Sequence, residues 1–160
     1  MNTSYLPIRG FAFVCLLALL GGCATASKPQ VDPRAVALPG TRADNSIRVD
    51  TEDARVAQLW SAAEQARIDR NDNRALDLLV QALEISPQNG LLWSRAAELQ
   101  LNTQQAVLAE NYALKSNLYA DDDAKLLHRN WLIIEHARGM RGDLLGVRSA
   151  HKMVQQYQYQ

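Results

Sequence analysis

Few residues in this chain combine a reactive type with a spacing that would support chemistry. Of the three histidines, His128 and His136 share one predicted helix and are eight residues apart, which is about 12 Å along a helix axis. A helical metal site places two histidines at positions i and i+4, so we interpret the histidines as surface or groove residues. The acidic run Asp121-Asp122-Asp123 lacks the glycine and later glutamate of a calcium-binding loop and favours a helix cap. With no phosphate-binding loop or nucleophile elbow in the sequence, we expect neither enzymatic activity nor a bound metal or cofactor.

The two cysteines fall near the start of the chain. Cys15 lies inside the apolar run FAFVCLLALL, ten residues long, at positions 11–20. As a helix this run would span about 15 Å, too short for a bilayer core of about 30 Å. Because Arg9 precedes the run and small residues follow it, residues 1–22 are predicted to be a secretory signal peptide.

Cys23 has a more specific context, Leu20-Gly21-Gly22-Cys23. This segment resembles the lipobox of bacterial lipoproteins. The resemblance implies cleavage before Cys23, a diacylglyceryl group on its thiol and an acyl chain such as palmitate on its amino group, and several chains together make a stable anchor. Ala24 stands where an Asp would retain such a lipoprotein at the inner membrane, so we expect an outer-membrane protein facing the periplasm. The alternative is an ordinary secretory signal with a chance cysteine.

The charges of the chain are balanced, with 17 Lys and Arg against 17 Asp and Glu. Removal of the signal peptide takes away Arg9 and no acidic residue, so the mature chain has a net charge of −1. A nucleic-acid-binding protein would usually show a basic excess, so no nucleic-acid partner is expected. With Cys23 lipidated, the mature chain keeps no thiol for a disulfide, a nucleophile or a metal site.

Residues 23–50 are predicted to form the lipidated cysteine and a flexible periplasmic linker. Pro29, Pro33 and Pro39 interrupt this segment, and its apolar residues show no sustained period. Residues 24–50 would reach about 90 Å when fully extended and about 30 Å as a relaxed coil. Two interpretations remain open: simple slack between anchor and domain, or a reach that brings the domain to a distant partner.

Residues 51–160 have the composition and periodicity of a helical domain. Ala, Leu, Gln, Glu and Arg are plentiful, and apolar residues recur at helical spacing. The first helix is expected to start at a cap formed by Asp50-Thr51. Turns are predicted at residues 71–73, 86–90, 102–103, 121–123 and 139–143. They separate six helices of similar length.

These helices pair off with a period of about 34 residues, the period of tetratricopeptide repeats. Ala75, Leu79, Ala82 and Pro87 resemble the small, large, small and closing-proline positions of the second helix of that repeat. Upstream, Leu59, Ala62 and Ala63 fill the large and small positions of the first helix, and a shift of one repeat finds Trp93, Ala96 and Ala97 there. The resemblance implies an all-α fold, a tetratricopeptide-like α-solenoid of about three helix pairs. An unrelated alanine-rich bundle is the alternative.

In the repeat family the first helix of each pair lines a concave groove. Carried over by repeat register, the resemblance implies a partner-binding groove with exposed Trp60, while Trp93 and Trp131 are expected in the core. The whole predicted groove consists of Trp60, Glu64, Arg67, Leu91, Ser94, Glu98, Leu101, Lys125, His128, Leu132 and Glu135.

The anchor, the linker and about three repeats together resemble the layout of the pseudomonad outer-membrane lipoproteins that activate a class A penicillin-binding protein. The resemblance implies an adaptor that binds such a bifunctional synthase and regulates peptidoglycan synthesis without chemistry of its own. One alternative is a pilotin-like assembly factor for a secretin or pilus, or another repeat-based scaffold. A second is a protein that binds peptidoglycan or a small molecule.

Overall fold

The structure, a computed structural model, describes residues 53–158. This part of the chain forms six α-helices and no strand. The predicted signal peptide, Cys23 and the linker at 24–50 lie outside the described residues. The helices are α1 (Ala54–Ile68), α2 (Asp72–Ile85), α3 (Gly90–Asn102), α4 (Ala106–Leu118), α5 (Ala124–Met140) and α6 (Leu144–Tyr157).

Asp and Asn side chains cap five of the six helices. Asp53, for example, accepts hydrogen bonds from the backbone N–H groups of Arg55 and Val56, at 2.8 and 3.1 Å. Such caps satisfy amides that have no partner inside the helix. The cap of α1 is therefore Asp53, and the predicted cap at Asp50-Thr51 is wrong. The other side-chain caps are Asn71, Asn89, Asp123 and Asp143.

The helices pack as three consecutive pairs. The most extensive contacts join α1 to α2, α3 to α4 and α5 to α6, and further contacts of α2 with α3 and of α4 with α5 join the pairs. The first helix of the second pair, α3, also packs against the first helix of the third, α5. The prediction of an all-α fold with three helix pairs is confirmed.

Two apolar cores lie inside this array, and alanines let the helices approach closely. Ala75, Ala82 and Ala96 are completely buried in the first core and Ala109 in the second, so the small positions of the repeat carry the packing. Their burial agrees with the positions expected from the repeat pattern.

Trp60 belongs to the first core rather than to an exposed groove. Its side chain is only 6% exposed, and the guanidinium carbon of Arg95 from α3 lies 5.9 Å from the centre of the indole ring. The expectation of an exposed Trp60 is wrong. Helical periodicity placed the ring on the groove face of α1 but could not show that α3 covers this face. Trp93 and Trp131 are half-buried at the edges of the two cores.

Gly90, the first residue of α3, marks a close approach to the end of α4, the other helix of its pair. A Cβ atom at this position would lie 2.9 Å from the carbonyl oxygen of Tyr119. The Gly90 carbonyl accepts a hydrogen bond from the Ser116 hydroxyl at 2.7 Å, and that hydroxyl accepts one from the Asn130 amide at 2.7 Å. These buried hydrogen bonds join the start of α3 and the end of α4 to the middle of α5.

Candidate partner-binding face

The residues predicted to line the groove divide into a buried set and a partly exposed set. The buried set comprises Trp60, Glu64, Ser94, Glu98 and Leu101. Of the remaining six, Lys125 is exposed, and the half-buried ones are Arg67, Leu91, His128, Leu132 and Glu135. Buried side chains offer no contact area to a partner, so the surface that remains of the predicted groove lies mainly on α5.

Beneath this surface, five charged side chains form a continuous row that we call the charge ladder: Arg67, Glu64, Arg95, Glu98 and Arg129. On α1, Arg67 Nη2 lies 3.3 Å from Glu64 Oε2. From α3, Arg95 Nε lies 2.8 Å from Glu64 Oε1, and Arg95 Nη1 pairs with Glu98 Oε2. From α5, Arg129 Nη2 pairs with the same Glu98 oxygen. The ladder therefore crosses the first helices of all three pairs.

The ladder repeats with the period of the fold. Glu64 and Glu98 are one repeat apart, and so are Arg95 and Arg129, so the pair Arg95–Glu64 recurs as the pair Arg129–Glu98, each spanning 31 residues. Sequence reasoning singled out both glutamates as groove residues but missed Arg95 and Arg129. Identical charged residues at an offset of one repeat were the signal that could have found them.

Burial and pairing act against each other on the ladder carboxylates. Burial alone would raise the pKa of Glu98, but the attraction of Arg129 and Arg95 outweighs it and holds that pKa below its ordinary value. At Glu64 burial prevails over the attraction of Arg95 and Arg67, so its pKa is raised. Glu98, which lies between two guanidinium groups, is the ladder member whose charge the fold stabilises most clearly.

Arg129 is almost completely buried, with 1% of its surface exposed. Burial lowers its pKa to about 10, because the cost of desolvating the guanidinium and the repulsion from Arg95 exceed the attraction of Glu98. Its Nε donates to the Ser94 hydroxyl at 3.1 Å. Its Nη1 has no hydrogen-bond partner among residues 53–158.

The partly exposed remainder of the predicted groove on α5 is a strip of four residues, Lys125, His128, Leu132 and Glu135, which we call the α5 strip. They lie three or four positions apart, so they follow one face of the helix. Partial burial lowers the pKa of His128, which favours its neutral form. At the far end, Glu135 Oε1 lies 3.0 Å from His151 Nδ1 on α6. The strip thus combines a cation, an apolar side chain and a carboxylate, a mixture suited to contact with a protein.

A second exposed surface lies on α4. Val107, Leu114 and Leu118 follow one face of this helix, and Leu118 is 77% exposed. An exposed apolar stripe of this kind is a second possible contact surface. It provides a comparison for the α5 strip in binding experiments.

The described residues contain no group of three or more metal-ligating side chains. None of the helices in residues 53–158 is long and apolar enough to cross a membrane.

The fold and sequence are similar to those of one solved domain. The chain resembles the globular C-terminal domain of P. aeruginosa LpoP. The TM-score is 0.60 at 27% sequence identity, over 68% of this chain and 99% of the LpoP domain. No protein-family model and no curated protein matches the chain. The likeness therefore extends over 99% of the globular domain of LpoP, and the predicted resemblance is confirmed for the helical domain.

Proposed function

We propose that this protein is a lipid-anchored activator of a class A penicillin-binding protein. The observation that carries the proposal is the similarity to LpoP across 99% of its globular domain. In this proposal Cys23 bears the lipid, residues 24–50 form the linker, and the helical domain faces the periplasm from the outer membrane. The domain binds a protein partner and performs no chemistry itself.

The mechanism is a shift of the synthase towards its active conformation. A regulator can shift a two-state equilibrium only by binding one state more tightly than the other. Coupling free energies of this kind are about 1–3 kcal/mol, or about 5- to 150-fold in population. The charge ladder supports such a role because it fixes the spacing of α1, α3 and α5 below the contact surface, so the domain presents a preformed face.

The α5 strip is the proposed contact surface. Lys125 is exposed, while His128 and Leu132 are half-buried, which gives the strip a charged side chain to steer association and an apolar one to bury. The domain lies behind the linker, whose extended reach of about 90 Å would let this surface meet a partner well away from the outer membrane.

The direct test is reconstitution of the lipidated, full-length mature protein with the bifunctional synthase of the same cell. The rate of glycan polymerisation from lipid-linked disaccharide should rise about fivefold or more. Lys125→Glu should weaken stimulation, because it reverses the exposed charge of the strip. Leu118→Lys on α4 serves as the matched surface control and should leave stimulation unchanged.

Three results would contradict the proposal. The first is absence of both binding and stimulation at micromolar concentrations. The second is loss of multimeric secretin with normal peptidoglycan synthesis when the protein is absent from the cell, which would favour a pilotin-like factor. The third is direct binding of muropeptides without a protein partner. Stimulation lost in Leu118→Lys but kept in Lys125→Glu would move the contact surface to α4.

A further inference from the structure

The charge ladder follows a rule that is visible at Arg95. This arginine binds the glutamate of the preceding repeat, Glu64, through Nε and Nη2. Its Nη1 binds Glu98, three positions further along the same helix. By this rule an arginine of the second or third helix pair would lie between two carboxylates, one 31 positions before it and one three positions after it. Arg67, in the first pair, instead binds Glu64, three positions before it.

Arg129 is the equivalent arginine one repeat later and follows only half of this rule. Its Nη2 binds the glutamate of the preceding repeat, Glu98. Three positions after it stands Leu132, where the rule would place a glutamate. The atom that would serve that position is Nη1, the same atom that binds the second carboxylate in Arg95, and it has no partner among residues 53–158. A guanidinium N–H that is buried without a partner is costly.

From this geometry we infer that Arg129 Nη1, which is buried in the free domain, is uncovered when the protein partner displaces the half-buried side chain of Leu132, and that it then receives a carboxylate from an acidic side chain of that partner. The inference rests on the proposed function for the identity of the partner. The bound carboxylate would pair with Arg129 Nη1 in the third helix pair as Glu98 pairs with Arg95 Nη1 in the second. Arg129 is then a recognition residue for an acidic residue flanked by an apolar one.

The surroundings of Arg129 fit an acidic and apolar segment. Lys125 lies one turn before Arg129 on the same face of α5 and is exposed, and Leu132 lies one turn after it and is half-buried. Burial lowers the pKa of Arg129 to about 10, so the group is still a cation at neutral pH and would gain from a second carboxylate. Arginine is suited to this task because its planar group can bind carboxylates from two sides.

The first test needs no partner. Leu132→Glu places a carboxylate three positions after Arg129, as Glu98 is placed after Arg95, and Leu132→Gln is the control of equal size without charge. If Nη1 accepts a carboxylate, the Glu variant of the mature chain should unfold at least about 4 °C above the Gln variant. Equal melting temperatures, or a lower one for Leu132→Glu, would overturn the inference.

The second test measures binding of the synthase to the same two variants. Leu132→Glu should bind the synthase at least about tenfold more weakly than Leu132→Gln, because the introduced carboxylate already pairs with Arg129 Nη1 and excludes the carboxylate of the partner. Equal affinities of the two variants, with wild-type binding intact, would show that the partner supplies no carboxylate there. Failure of the wild-type protein to bind the synthase would instead contradict the proposed function.

If the synthase does not bind, a peptide probe tests the carboxylate site at Arg129 separately from the proposed function. The capped peptide Ala-Leu-Glu-Leu-Ala should shift the side-chain NMR signals of Arg129 in the wild-type chain and not in Leu132→Glu. The same peptide with Gln in place of Glu should leave these signals unchanged in both proteins. A wild-type signal unmoved by both peptides would count against Arg129 as a carboxylate receptor. Binding that appears only after Asp32, Asp44 and Asp50 are changed to Asn would assign the site to the linker of this chain and overturn the assignment to a partner.

Discussion

Replacing Glu98 by Gln removes the carboxylate at the centre of the charge ladder while keeping the size of the side chain. Glu98 pairs with Arg95 and with Arg129, and both arginines are almost fully buried. Without the carboxylate, two buried guanidinium groups lose their shared counter-charge, and water cannot replace it. Loss of one partner from a buried ion pair costs about 3–5 kcal/mol.

This cost is large for a domain of this size. Small domains have free energies of unfolding of about 5–15 kcal/mol, so Glu98→Gln should remove about a fifth or more of the total. At about 4–8 °C per kcal/mol, the melting temperature should fall by at least about 12 °C. Urea denaturation followed by circular dichroism and by tryptophan fluorescence measures the change directly.

The control is Glu135→Gln, which breaks the exposed pair with His151. Exposed ion pairs contribute about 0–1 kcal/mol, so this variant should stay close to wild type. The double variant Glu98→Gln with Arg129→Met should be less destabilised than the two single changes predict together, because it also removes one of the unpaired guanidinium groups. Equal stabilities of Glu98→Gln and Glu135→Gln would refute the view that the ladder pairs stabilise the buried charges.

The pH dependence gives the same reasoning a second check. The pKa of Glu98 in the folded protein lies below its ordinary value of 4.5. Its ionised form therefore adds stability that is fully present above pH 4.5 and is lost as the pH falls through the lower folded-state pKa. The difference in stability between wild type and Glu98→Gln should consequently narrow in acid, and a difference that widens there would contradict the assignment.

Two further substitutions test the packing. Gly90→Ala should destabilise the domain by about 1–3 kcal/mol in urea denaturation, because its Cβ would lie 2.9 Å from the Tyr119 carbonyl oxygen. The control Gly139→Ala should be neutral or stabilising, because its Cβ makes only an ordinary contact at 3.9 Å. Equal effects of the two substitutions on stability would contradict the close approach at Gly90. Trp60→Ala should cost about 3–5 kcal/mol of stability, as expected for a ring in a core, and a cost below about 0.5 kcal/mol would instead return Trp60 to an exposed groove.

The helices themselves could be predicted from the sequence because residues close to each helix end determine where the helix begins or ends. An Asp or Asn at each of five helix starts binds amides two or three positions away, so caps and turns leave a short-range signal. The turns predicted at residues 86–90 and 121–123 agree with the breaks between α2 and α3 and between α4 and α5. The spacing of the small alanines along the chain likewise predicted which helices form pairs.

The inside of the groove could not be predicted in this way, because its determinants are long-range. Arg95 and Arg129 look like ordinary solvated residues of a polar helix, and their burial depends on glutamates 31 positions away. Trp60 and Leu59 point in different directions from α1, and which one is covered depends on where α3 lies. A helical period defines the faces of one helix but not the neighbour that closes each face.

Helix arrays whose neighbours meet only through local apolar contacts unfold pair by pair from their ends, as nearly independent units. The charge ladder changes this behaviour, because Glu98 binds arginines on α3 and α5 at once, and Arg95 binds glutamates on α1 and α3. Opening either end pair would expose one half of a buried charge pair and leave the other half uncompensated within the remaining array. The three pairs should therefore open as one cooperative unit, and a force or a partner that acts on one end will be felt at the other.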